Sequence, residues 1–131
     1  MKDRSNLVDS SGWIEYFTES PNAAFFAPAI EDSGHLLVST LSLVEVFKWI
    51  LREKGENAAL QAAALMQQGE IVDLDFSLAI RSAKLGADLK LPLADSVLYA
   101  TAQAHGALLW TQDADFESLP GVRYTAKQRR A

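Results

Sequence analysis

The chain is predicted to be an α/β protein, with a central, mostly parallel sheet of four to five strands between helices on both faces. Three observations predict this. Short apolar runs alternate with longer segments of helical composition along the whole chain, which is the pattern of repeated strand–helix units. The runs are apolar without strict alternation, as in strands covered on both faces. Glycine and proline punctuate the boundaries, at Gly55, Pro92 and Gly106. At 131 residues, 49% of them apolar, the chain has the size of a single domain, 1–131, and can bury a real core.

Taken in order, NLV (6–8) reads as the first strand, and SSGWIEYF begins a helix with Ser10 or Ser11 as its N-cap. After Pro21, NAAFFAPAIEDSG reads as a short helix broken near Pro28 and ended by Gly34. HLLVST (35–40) is the second strand, followed by a helix from about Leu41 to Lys54 that stops at Gly55. ENAALQAAALMQQG is rich in the best helix formers. EIVDL (70–74) is the third strand and SLAIRSAKLGADL a further helix. Pro92, tolerated in a first helical turn, opens a helix running to about His105. Gly106 ends it, ALLW (107–110) is the fourth strand, and VRY (122–124) is the candidate fifth.

Several function classes are excluded at this stage. The chain has no cysteine, so neither a disulfide framework nor a thiolate zinc site is available, which fits a reducing compartment. The opening MKDRSNLVDSSGW has no long apolar stretch of a secretory signal, and a cytoplasmic location is expected. Residues 96–112 contain no charged side chain, yet they are shorter than the roughly 20 apolar residues of a membrane span. They also include Gln, His and Gly, so they read as a buried helix followed by a buried strand. A net charge of −5 argues against a simple phosphate-binding surface, although KQRR at 127–130 forms a small basic tail. No HExxH zinc motif, glycine-rich phosphate loop or GxSxG elbow is present.

The acids carry the argument. In a doubly wound sheet, ligands bind beyond the carboxyl ends of the strands. Asp9 follows the first strand directly, and Asp113 and Asp115 follow the fourth. Helices in such units start where the strands end, which brings Asp95, in the first turn after Pro92, to the same edge. Glu45, about one turn into the helix after the second strand, joins them. Each acid also has a plain structural explanation. Asp9 can cap a helix, and Asp95 can complement a helix dipole. Glu45 belongs to a polar stripe with Ser42, Lys48 and Arg52, and Asp113 and Asp115 suit a turn. None of these explains why four separate segments share one edge. Crowded carboxylates repel one another until a cation or proton intervenes, and the usual cation for an all-oxygen cluster is Mg²⁺ or Mn²⁺.

LVDSSGWIEYF, STLSLVEVFK and LPLADSVLYATAQAHGALLWTQDADF together resemble the PIN-domain nucleases, and especially the VapC toxins of type II toxin–antitoxin pairs. The resemblance runs from Leu7 to about Val122. It implies a PIN-like three-layer α/β/α fold and a Mg²⁺- or Mn²⁺-dependent endoribonuclease that forms a homodimer and is neutralised by a cognate antitoxin. Carried over residue by residue, the catalytic acids are Asp9, Glu45, Asp95 and Asp113. Asp9, Asp95, Asp113 and Asp115 are the candidate metal ligands, and Thr111 matches a hydroxyl residue that assists the site. Gln112 departs from the pattern, standing where many relatives carry a basic residue.

In the mechanism expected from this resemblance, metal-activated water attacks the phosphodiester and leaves 5′-phosphate and 3′-hydroxyl ends. Lys48 and Arg52, on the helix of Glu45, and Arg81 and Lys84, on a neighbouring helix, are candidate RNA contacts. Trp13, Phe17, Phe25 and Phe26 read either as core or as part of a groove for an antitoxin peptide or a second copy. Two rivals remain. A different metal-dependent phosphoryl hydrolase would place a second Asp two residues after the first, where this chain has Ser11. A domain that binds RNA or protein without cutting would be favoured by loss of acids, and here all are present.

Overall fold

The apolar runs do form strands, and side-chain alternation sends the central strands into two cores. The computed structural model describes residues 4–128, so Arg129 and Arg130 of the basic tail lie outside it. The elements are β1 (Asn6–Val8), α1 (Ser10–Phe17), α2 (Ala23–Glu31), β2 (Leu36–Ser39), α3 (Thr40–Lys54), α4 (Glu56–Met66), β3 (Glu70–Val72), α5 (Phe76–Leu89), α6 (Leu93–Ala104), β4 (Leu108–Thr111) and β5 (Val122–Tyr124). The five strands form one sheet in the order β3-β2-β1-β4-β5, and every neighbouring pair is parallel.

Successive strand residues point to opposite faces. Val8, Leu36 and Val38 pack with Trp13, Phe26, Val46, Ile50 and Met66 under the first four helices. Leu7, Leu37 and Leu109 pack with Leu78, Leu98, Tyr99 and Phe116 under α5 and α6. The fold is thus a three-layer α/β/α sandwich, and its central strands show no polar alternation because helices cover both faces there, while the edge strands β3 and β5 keep exposed residues. Residues Ser96 to Thr101 are buried, so the charge-free stretch is an interior helix followed by an interior strand. No described helix is long and apolar enough to cross a membrane.

Four local readings need correction. The N-cap of α1 is Asp9, whose side chain accepts from the Gly12 amide, and Ser10 and Ser11 are already helical. α2 runs through Pro28 to Glu31, and Ser33–His35 form a short 3-10 turn before β2. Phe26, Ala29 and Ile30 anchor α2 in the core, and that packing outweighs the one ladder hydrogen bond the proline removes. β3 stops at Val72, and Asp75 caps α5 by accepting from Leu78 N–H at 2.9 Å. Pro92 is the cap residue of α6 and lies outside its first turn.

Two glycines set close approaches. A Cβ at Gly12 would lie 2.6 Å from a Phe26 ring carbon and 2.7 Å from a Val8 methyl, so α1 can sit on β1 and α2 only without one. A Cβ at Gly86 would collide with the Ser96 side chain, where α5 crosses the first turns of α6.

Candidate active site

The strand order reverses between β1 and β4, and ligands of doubly wound sheets bind in the crevice at such a switch point. β1 delivers Asp9 and β4 delivers Asp113 to that crevice, at the carboxyl ends of both strands. α6 brings Asp95 in its first turn, and α3 brings Glu45. With Ser10, Ser11, Ile14, Trp49, Ala94 and Leu98, these four acids line one cleft of about 340 Å³.

Each acid is held differently. Asp9 is 5% exposed; its Oδ1 accepts from Gly12 N–H and Ser11 Oγ, both at 2.9 Å, and its Oδ2 accepts from Thr111 Oγ1. Burial pushes the Asp9 pKa up despite these hydrogen bonds, which oppose the shift, and the Asp113 charge adds to the rise. Thr111 is fully buried and takes a second role, its Oγ1 accepting the Asp113 amide at 2.9 Å. One hydroxyl thus ties the acid after β1 to the backbone after β4.

Asp113 in turn accepts the Asp115 amide at 2.9 Å, starting the short 3-10 turn Ala114–Phe116 that Phe116 pins into the core. Glu45 Oε1 accepts from Ser10 Oγ, which also lies 3.1 Å from Ser42 Oγ. Asp95 is half-buried and its pKa is raised to about 7, first by burial and then by the charge of Asp113 and a hydrogen bond with it. Asp115 and Asp9 contribute smaller repulsions.

Ligand oxygens of Asp95, Asp113 and Asp115 all lie within 4.8 Å of one another. Their hard, all-carboxylate donor set and mutual repulsion fit a divalent cation with oxygen ligands. Asp9 stands beside this group of three, with both carboxylate oxygens engaged by protein donors. Among the described residues, no Lys or Arg lines the cleft.

The candidate RNA-contact residues are not brought there. Lys48 is exposed beside an apolar groove with Val44, Phe47 and Leu51. Arg52 is exposed and pairs with Glu53 at 3.0 Å. Arg81 lines clefts shared with Arg4, Gly106 and Gly121, at the opposite, amino-terminal edge of the sheet. Lys84 is exposed on α5.

Sequence reasoning missed three features. Ser10 and Ser42 organise Glu45, and Ser42 is fully buried, so the polar stripe on α3 is not solvated throughout. Gln112 is buried and accepts from Asn22 Nδ2 at 2.8 Å, while that nitrogen also donates to Ala126 O at 3.0 Å. Gln112 therefore braces the link between α1 and α2 against the strand edge, an acceptor's role that a basic side chain would not fill. Trp49 lines the cleft one turn beyond Glu45. Serine and tryptophan at helical spacing from an acid were the available signal. Of the aromatics whose role was open, Trp13 and Phe26 are fully buried and Phe17 and Phe25 pack against the same core.

The PIN domain model matches residues 7–122. A Mycobacterium tuberculosis protein named ribonuclease VapC4 is 36% identical over 93 residues, which span 65% of this chain and 72% of that protein. Among solved structures, a toxin–antitoxin complex from Klebsiella pneumoniae aligns with a TM-score of 0.78 at 28% identity, over 91% of this chain and 96% of that one. A DNA-bound VapBC from Salmonella typhimurium aligns with a TM-score of 0.74 at 17% identity, over 95% and 98%, and shares the fold. With its acids gathered at the switch point of a matching sheet, the chain belongs to the PIN-domain family, among its VapC-like members.

Proposed function

We propose that the protein is a divalent-metal-dependent endoribonuclease and the toxin of a toxin–antitoxin pair. The observation that carries this reading is the meeting of Asp9, Glu45, Asp95 and Asp113 in one cleft of a PIN-domain chain. The ribonuclease name of the VapC4 relative and the antitoxin-bound state of the Klebsiella relative support it. Asp95, Asp113 and Asp115 would hold Mg²⁺ or Mn²⁺, with Asp9 completing the negative pocket. When bound, the cation supplies positive charge at the scissile phosphate and acidifies the attacking water.

The remaining work falls to the chain. Thr111 fixes the Asp9 carboxylate and the Asp113 backbone in register. Glu45, oriented by Ser10, accepts a proton from the water during attack. The expected products carry 5′-phosphate and 3′-hydroxyl ends, and no covalent intermediate is needed. A homodimer, a cognate antitoxin and a cytoplasmic site of action complete the reading.

The test is incubation of the purified chain, freed of any antitoxin, with end-labelled cellular RNA in Mg²⁺, Mn²⁺ or EDTA. Discrete fragments that need metal and vanish in a folded Asp95→Asn variant are the expected result. Fragments that persist in EDTA, or that end in 2′,3′-cyclic phosphate, would refute the mechanism.

A further inference from the structure

The chain's three tryptophans are used differently. Trp13 is fully buried and stacks on Phe17 with ring centroids 5.7 Å apart. Trp110 leans on Phe25 at 5.3 Å, donates from Nε1 to Asn6 Oδ1 at 2.8 Å and carries the Arg123 guanidinium 4.9 Å from its ring centroid. Trp49 has no such partners. Among the described residues its ring makes no aromatic or cation contact, and its Nε1 makes no hydrogen bond. It is half-buried, packed on one side against the core under α1–α4, and it lines the acid cleft.

The rest of the cleft shows what such a ring is for. Ile14, Ala94 and Leu98 are the other apolar residues that line this cleft with Trp49 and the carboxylates. Among the described residues no Lys or Arg lines the cleft, so none of them stands beside the carboxylates to grip a scissile phosphate. Affinity at that point has to come from uncharged contacts as well as from the cation. Single-stranded bases bind aromatic side chains by stacking, which tolerates any base because each has a π-face.

We propose that Trp49 is the stacking platform for the nucleobase of a nucleotide flanking the scissile phosphate, and so a substrate-binding residue. The inference rests on the ribonuclease reading above. Its bland competitor is a tryptophan that only fills space beside α1, and the two differ in what a replacement must preserve. Stacking needs a flat aromatic ring, whereas filling needs only apolar bulk. Trp49→Phe and Trp49→Leu therefore separate them.

Each change is made in the full chain, once alone and once together with Asp95→Asn. The double variants are titrated in Mg²⁺ with a fluorescein-labelled, single-stranded oligoadenylate, read by anisotropy. The single variants are assayed for cleavage of cellular RNA, and melting temperatures are recorded throughout. Loss of Trp49→Leu binding by about tenfold, with Trp49→Phe retaining most of it, is the expected result. In cleavage, the loss should appear in KM more than in kcat. Oligoadenylate should also quench tryptophan fluorescence in the Asp95→Asn chain and not in its Trp49→Phe counterpart, because Trp13 and Trp110 lie outside the cleft.

Unchanged binding in Trp49→Leu, or equal loss in the Phe and Leu variants, would overturn the stacking role. Wild-type cleavage alongside that result would leave the nuclease reading intact. Absence of both cleavage and oligoadenylate binding in the unsubstituted chain would overturn both.

Discussion

Thr111 does two jobs with one oxygen, donating to Asp9 and accepting from Asp113 N–H, and it is fully buried. Thr111→Val keeps the shape but orphans a carboxylate oxygen and an amide. The expected loss is about 1–3 kcal/mol in urea denaturation, together with weaker Mg²⁺ binding by titration calorimetry. An equally stable valine variant would show that the hydroxyl is dispensable. Asp95 makes the opposite prediction. Its folded pKa of about 7 stands above the ordinary 3.8, so between those values the metal-free folded chain keeps a proton that the unfolded chain has lost. Stability from this group therefore rises as pH falls through the window, and Asp9 shifts in the same direction. In EDTA, the melting temperature should be higher on the acid side of neutrality than on the alkaline side, and Asp95→Asn should flatten the difference. Added Mg²⁺ should raise it most at alkaline pH. A profile identical in wild type and Asp95→Asn would contradict the assignment.

At the scale of elements, the site depends on where helices begin. α6 presents Asp95 from its first turn, and Gly86 lets α5 pass close to Ser96 in that same turn. Gly86→Ala should push the two helices apart, costing about 1–3 kcal/mol and weakening metal binding more than a remote surface change would. A variant with native stability and metal affinity would show that the side chain of Ser96 can swing aside. Much of this layer was legible in the sequence, because Gly55, Pro92 and Gly106 stand at helix ends, the two glycines with positive φ. Pro28 was misread because tertiary burial of Phe26 and Ile30, invisible locally, holds α2 together around it. The acids were legible because their places after β1 and β4 follow from topology. Ser42, Trp49 and the misplaced cations were not, because a polar or aromatic residue at helical spacing reads the same whether it faces a cleft or solvent.

Over the whole molecule, the charge distribution is unlike that of a nucleic-acid binder. The chain carries a net charge of −5, and the cations proposed to grip RNA sit away from the cleft. A protein that neutralises few phosphates releases few counterions, so RNA affinity should fall only gently with salt. At fixed Mg²⁺, a steep KCl dependence of KM would point to a basic surface supplied by a second subunit. Asp9 both caps α1 and lines the acid cleft. Under the proposed function, loss of that carboxylate would disarm the protein and also unfasten its first helix, whereas Asp95→Asn would disarm it while relieving crowding. Cells selected to survive the toxin should therefore yield two kinds of escape. Asp9 lesions would be cleared by proteolysis, and Asp95 lesions would persist as folded decoys that still soak up antitoxin and leave an intact copy unguarded.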